Sequence, residues 1–295
     1  MTTIAVIGPG AIGGTLAAWL AQDPALQVIV CARTPLDDLV IETPHGTITA
    51  KPVVLTRPDD APVVDWVLVA TKTYDVEATG PWLRQLVGQG TRVAIVQNGV
   101  EQVRLFQHLV PAEQLVPVII NLPAARSAPG RILQQRQGYI WAPDGDNGAA
   151  LVALFGQTEI EAVVAPDFVS RAWIKLCGNC GAIVPTLTLR ATGPVWTDDL
   201  EAIVRGVAEE CAAVGRAEGA VIDQDVVEST VEMARSMADE TRVSSIHADR
   251  LAGNRMEIDA RNGVIVRLGE QHGIATPMNK VLVTLLAASG SPWVK

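Results

Sequence analysis

Residues 4–20 read IAVIGPGAIGGTLAAWL, and this stretch constrains the fold more than any other part of the chain. Gly8, Gly10 and Gly13 stand as G-x-G-x-x-G, directly after a β-branched run and directly before an apolar run of helical character. In a strand–turn–helix unit each glycine has a mechanical reason. The first permits the tight turn, the second lets backbone approach a pyrophosphate, and the third lets the helix pack closely on the strand, with the anion at the helix N-terminus. The spacing alone is a weak signal, but its context strengthens it. Three more β-branched runs follow, QVIVCAR (27–33), DWVLVAT (65–71) and RVAIVQNG (92–99), separated by helical patterns. Short continuous apolar strands alternating with crossover helices predict a parallel sheet covered on both faces.

The expected class is therefore α/β, with a Rossmann-type parallel-sheet domain over 1–164 and an all-helical domain over 165–295. A chain of 295 residues is long enough for two cores. Between 40 and 60 the Pro- and Gly-punctuated VIETPHGTITAKPVVL reads as a hairpin-like excursion, and 115–142 reads as strands joined by turns that close the first domain. After about residue 165 long amphipathic stretches such as DDLEAIVRGVAEECAAVGRAEGA (198–220) dominate.

Composition narrows the partners. A net charge of -9 without any basic run disfavours phosphate backbones and anionic membranes, so neither nucleic acid nor membrane is expected as a partner. The N-terminal apolar run lacks preceding basic residues and is broken by glycines, so it reads as structure rather than as a secretory signal. Four cysteines (Cys31, Cys177, Cys180, Cys211) suit a reducing compartment, and a cytoplasmic protein is expected. An apolar helical domain buries its surface within the chain or in a homodimer, and sequence leaves both open.

The cofactor preference is read about 20 residues past the glycines, where an NAD site places an acid for the ribose 2′-hydroxyl. Here the chain reads Cys31-Ala32-Arg33-Thr34. No carboxylate is present, and Arg33 is suited to paired hydrogen bonds with a 2′-phosphate, with Lys72 delivered to the same crevice by a neighbouring strand. Each cation singly also fits a solvated surface side chain. Together they favour NADPH, held by Gly8, Gly10, Ala11, Ile12, Gly13, Arg33 and Lys72.

The segment WIKLCGNCGAIVP (173–185) contains a C-x-x-C spacing and, overlapping it, Lys175 and Asn179 at i and i+4. A redox pair belongs at a helix start after a strand, and this one lies within an apolar helical pattern; a zinc site needs two further ligands that the scattered histidines do not supply. Buried packing thiols are the expectation, and no metal is expected. The lysine and the amide share one helix face, although the pattern alone also fits a lysine that snorkels to solvent.

The ordered set GPGAIGG (8–14), ATK (70–72), QNG (97–99), WIKLCGN (173–179), SSIHADRLAGNRMEID (244–259), NG (262–263) and GIATPMN (273–279) resembles the ketopantoate reductase (2-dehydropantoate 2-reductase) family of the 6-phosphogluconate-dehydrogenase-like superfamily. The resemblance implies a general acid at Lys175, substrate support from Glu257 and Ser245, and a cofactor and substrate crevice lined by Asn98 and Asn179. Its pattern often carries another asparagine four residues after Asn179, where this chain has Ile183. The physical roles agree: hydride addition to a ketone builds negative charge on oxygen, and a positioned cationic donor both stabilises that charge and supplies the proton. Asn179 and Ser245 offer neutral donors. Residue type alone also allows Glu257 to be a solvated helix acid and Asn98 a left-handed turn residue. Asp249 and Asp259 read as helix-face partners of Arg250, Arg255 or Arg261, and His247 as surface or core. The expected function is NADPH-dependent reduction of a small 2-oxo acid, 2-dehydropantoate first; the alternatives are a related dehydrogenase of another branched 2-oxo or hydroxy acid, and a non-catalytic NADP-sensing module.

Overall fold

The structure is a computed structural model that describes residues 1–237 and 244–289. The chain divides into two compact units after Phe168.

In the first unit, β1 (Thr2–Ile7) leads through the glycine turn into α1 (Ala11–Leu20) and β2 (Leu26–Cys31). A hairpin of β3 (Leu39–Thr43) and β4 (Gly46–Ala50) follows, then β5 (Val53–Leu55), β6 (Trp66–Val69), α2 (Val76–Leu86), β7 (Arg92–Ile95) and α3 (Gln102–Phe106). The unit closes with β8 (Leu115–Pro117), β9 (Ile119–Asn121), β10 (Ala124–Ala128), β11 (Arg131–Gln134), β12 (Tyr139–Pro143), α4 (Asp146–Leu154) and β13 (Glu161–Ala165). Six strands form one parallel sheet in the order β5-β2-β1-β6-β7-β8. That order turns back on itself between β1 and β6, and the crevice at such a switch point is where doubly wound sheets bind ligands.

The alternation of side chains along these strands builds two cores. Ile4, Val6, Val28, Val30 and Leu68 face one side with Leu16 and Trp19 of α1, while Ala5, Ile7, Ile29, Val67 and Val69 face the other with Trp82, Leu83 and Leu86 of α2 and with Phe106. This is why the strands read as unbroken apolar runs. The 40–60 excursion is a hairpin, as expected, but it also seeds a second sheet, β10-β11-β3-β4, in which β3 runs parallel to β11 some distance on in sequence. Buried Trp19 donates its indole N–H to buried Gln134 Oε1 at 2.9 Å, fastening α1 to this sheet. Losing either partner would leave a buried polar atom unpaired, at a cost of about 1–3 kcal/mol. A third sheet, β13-β12-β9, ends the unit, so that Ala165 belongs to its last strand.

In the second unit the described elements are helical: α5 (Phe168–Cys180), α6 (Ile183–Thr188), α7 (Asp198–Ala217), α8 (Gln224–Arg235), α9 (Ser245–Leu251), one π-helical turn (Asp259–Gly263), α10 (Val264–His272) and α11 (Pro277–Ala288). α5 buries Ala172, Trp173, Leu176, Cys177 and Cys180, one face at helical spacing. Gly215 of α7 lets the Trp173 ring approach, since a Cβ there would stand 3.0 Å from its ring carbons. α7 starts where Thr197 Oγ1 accepts from Leu200 N at 3.1 Å, with Asp198, Asp199 and Glu201 in the first turn. α6 ends on Leu189 in the left-handed conformation, φ 56°, and Arg250 donates to the nearby Thr186 and Leu187 carbonyl oxygens. Leucine is strained at that backbone angle and its side chain is exposed. Leu189→Gly is therefore expected to raise stability by about 1 kcal/mol, read as a higher urea midpoint at unchanged slope.

Candidate active site

The glycine turn sits at the switch point. Gly8 has φ +88°, and a Cβ there would stand 2.8 Å from Thr71 Cγ2, so the turn lies against the chain leaving β6. Gly13 is tighter still: a Cβ would meet the Gly8 carbonyl oxygen at 2.3 Å and Ala70 Cβ at 2.9 Å. At Gly10 a Cβ would meet nothing within 4 Å, so backbone there faces open space. α1 begins at Ala11 and Ile12 with no side-chain cap and no acid in its first turn, which leaves its N–H groups and positive dipole end for an anion. A closed turn, a closed helix contact and an open middle glycine form a cradle that fits a dinucleotide pyrophosphate.

Around that cradle, Arg33 is exposed just beyond the C-terminal end of β2, and Lys72 is half-buried beyond β6. Asn98 follows β7 and is half-buried. It does not take the left-handed turn conformation; among the described residues that role falls to Gly99, φ +104°. Buried Gln97 donates through Nε2 to Thr71 Oγ1 at 3.0 Å and to the Lys72 carbonyl oxygen at 3.3 Å, linking the ends of β6 and β7. Gln97 stands in the QNG segment, where sequence reasoning assigns a role to Asn98 alone.

Within the helical unit, α5 carries Lys175 and Asn179 one turn apart. Lys175 is half-buried, and its pKa is lowered to about 8, chiefly by burial and further by the neighbouring Arg261 cation, with Glu257 opposing. Glu257 is buried, which removes the solvated-acid reading. Ser245, the first residue of α9, accepts at Oγ a hydrogen bond from Arg261 Nη2 at 2.9 Å. The N-terminus of that helix is capped by Ser244 instead, whose Oγ accepts from His247 N at 3.4 Å; His247 itself is buried. Arg261 also reaches the Asn179 carbonyl oxygen, at 3.5 Å. Lys175, Asn179, Ser245 and Glu257 are thus gathered around one buried guanidinium.

Arg261, with only 4% of its surface exposed, is a buried group on which Asp249 acts rather than an exposed helix-face partner. Asp259 pairs with Arg267 at 3.3 Å, and Arg250 serves the end of α6. The cause is the π-helical turn, in which Ala260, Arg261 and Asn262 are all buried. Beside it, Asn262 Nδ2 donates to the Cys180 carbonyl oxygen at 3.1 Å and to Asn279 Oδ1 at 2.8 Å, while Asn279 Nδ2 donates to Glu210 Oε2 at 2.7 Å. The end of α5 is thereby fixed to the π turn, α7 and α11.

The four cysteines are free and buried. Burial pushes the Cys31 thiol up to about 12 and raises Cys211 well above its ordinary value, with Cys177 and Cys180 adding to the latter. The fold thus brings Cys211 to the C-x-x-C pair, a contact that sequence distance had concealed. Cys180 Sγ donates to the Cys177 carbonyl oxygen at 3.0 Å. Cys31 and Cys211, so hard to ionise, are packing groups, and Cys177 and Cys180 are buried beside Cys211. No group of three or more side chains suited to a metal occurs among the described residues.

Two family models match the chain in order: ketopantoate reductase PanE/ApbA over residues 4–147, and ketopantoate reductase PanE/ApbA C terminal over residues 167–289. The chain belongs to the ketopantoate reductase family. A 2-dehydropantoate 2-reductase of Caulobacter vibrioides is 54% identical over 98% of this chain and 99% of its own. One from Mycobacterium tuberculosis is 36% identical over 98% of both chains. A solved PanE/ApbA family ketopantoate reductase from Ralstonia eutropha JMP134 superposes with a TM-score of 0.88 at 28% identity, covering 97% of each chain. Against the ketopantoate reductase pattern, Ile183 is buried with 1% exposure and contributes packing in place of an amide.

Proposed function

We propose that this chain reduces 2-dehydropantoate to pantoate with NADPH, Lys175 acting as the general acid. The observation that carries the reading is the half-buried Lys175, its pKa lowered to about 8 beside buried Glu257 in a chain of this family. An ammonium with that pKa is protonated at neutral pH and releases its proton readily, which is what a ketone acquiring negative charge requires. Gly8, Gly10, Ala11, Ile12, Gly13, Arg33, Lys72 and Asn98 would hold NADPH, which when bound supplies the hydride. Lys175 Nζ donates a proton to the carbonyl oxygen of the substrate and stabilises the charge forming there. Glu257 keeps the lysine from losing its proton too early and accepts from a substrate hydroxyl, while Asn179 and Ser245 donate to the carboxylate end.

The test is NADPH oxidation with 2-dehydropantoate against a panel of other 2-oxo acids. Faster turnover of another branched 2-oxo acid would move the substrate assignment, and NADPH binding without reduction of any of them would leave a sensing module. The cofactor choice has its own test. Arg33→Ala is expected to weaken NADPH binding by about 10- to 100-fold, as for a lost charge-assisted phosphate contact, and to leave NADH binding unchanged. Equal losses for both cofactors would exclude Arg33 as the 2′-phosphate reader.

A further inference from the structure

Arginine is rarely buried, and Arg261 shows 4% exposure. Its hydrogen bonds go to two neutral oxygens, Ser245 Oγ at 2.9 Å and the Asn179 carbonyl oxygen at 3.5 Å. Its Nε is buried with no hydrogen-bond partner among the described residues. Burial lowers its pKa from the ordinary guanidinium value, while Glu257, Asp249 and the Cys180 thiol act in the opposite sense. A cation held this way is a poor stabilising device, since an apolar side chain of similar volume commonly serves a core at least as well.

What Arg261 does accomplish is geometric. By donating to Ser245 Oγ it occupies an acceptor lone pair, so the serine O–H is left to donate elsewhere. The same guanidinium bonds the last turn of α5, which ties Ser245 to the turn holding Asn179 and, one turn earlier, Lys175.

We propose that Arg261 is a positioning residue for the reduction: it fixes Ser245 as a hydrogen-bond donor to the carboxylate of the substrate, and its positive charge behind that donor favours an anionic 2-oxo acid over a neutral analogue. The inference rests on the 2-oxo-acid reductase reading above. A hydroxyl polarised by a cation is a stronger donor to an anion, and hydrogen bonds to charged groups are worth about 1.5–3 kcal/mol. The charge is fixed before substrate arrives, so no reorganisation is required at that moment.

The experiment compares full-length wild type, Arg261→Leu, Arg261→Lys and Ser245→Ala in NADPH oxidation with 2-dehydropantoate and with its neutral methyl ester, across pH 6 to 10. Arg261→Leu is expected to raise KM for the acid about 10- to 100-fold with a much smaller change for the ester, so that the preference for acid collapses. The basic limb of kcat/KM should also move to higher pH, because the cation that disfavours protonated Lys175 has gone and Glu257 is opposed by burial alone. A merely structural role would lower activity without moving that limb. Arg261→Lys should keep the limb near its wild-type place and recover part of the preference. A folded Arg261→Leu enzyme with unchanged preference and limb overturns the proposal, as does an Arg261→Lys enzyme indistinguishable from it. Should Arg261→Leu not fold, Ser245→Ala decides: its preference for acid must fall, and an unchanged preference overturns the proposal. Wild type that reduces neither acid nor ester would instead sink the reductase reading itself.

Discussion

Lys175→Ala is expected to lower kcat by roughly 10²-fold or more while NADPH still binds, because in the proposed mechanism it removes both the proton donor and the charge that stabilises the developing alkoxide. Near-normal turnover would remove Lys175 from the mechanism. The same side chain has a thermodynamic signature. Its pKa is about 8 in the folded chain against an ordinary value of 10.5, so the unfolded chain binds more protons between those limits and stability rises with pH across that window. Below pH 8 the whole cost of holding the ammonium is present; above 10.5 both states are neutral and it vanishes. Lys175→Met should therefore be inactive yet more stable than wild type at pH 7, by on the order of a few kcal/mol, with the gap closing as pH rises through the window. Urea unfolding at pH 7 and at pH 10 reads this directly. A methionine variant equally destabilised at both values would show that the lysine is held without strain.

The second large effect lies in the glycine turn, where two substitutions that look alike in sequence should behave differently. In Gly13→Ala the new Cβ would stand 2.3 Å from the Gly8 carbonyl oxygen, a backbone atom of the turn itself, and 2.9 Å from Ala70 Cβ. Either the turn opens or α1 retreats from β6, so loss of about 1–3 kcal/mol of stability and of most NADPH affinity is expected. In Gly10→Ala the new Cβ meets nothing within 4 Å, so stability should hold while NADPH affinity falls, since the methyl group would occupy the approach proposed for pyrophosphate. Fluorescence titration with NADPH and urea midpoints separate the two. Wild-type affinity in Gly13→Ala would mean that this turn is not the phosphate cradle.

The parallel sheet was legible because strands covered on both faces must be apolar throughout, and Ile4 to Ile7 do alternate between the two cores. The same logic placed Lys175 and Asn179 on one face of α5. The second sheet was not legible, because β3 pairs in parallel with β11, and no local periodicity encodes a partner so far along the chain. The approach of Cys211 to Cys177 and Cys180 escaped for the same reason. The burial of Arg261 was not legible because the charged residues around it suggested helix-face pairs, and a helical period of 3.6 does not mark the extra residue of a π turn.

That extra residue changes how the chain tolerates insertions and deletions. In a loop, loss of one residue shortens a connection; between Asp259 and Gly263 it would restore regular α-helical winding and re-aim the side chains inside the turn. Arg261, inside that turn, would lose its present bearing on Ser245 although no side chain had been substituted. In descendants of this chain, length over this segment is therefore under as much constraint as residue identity, and single-residue gaps should accumulate elsewhere first.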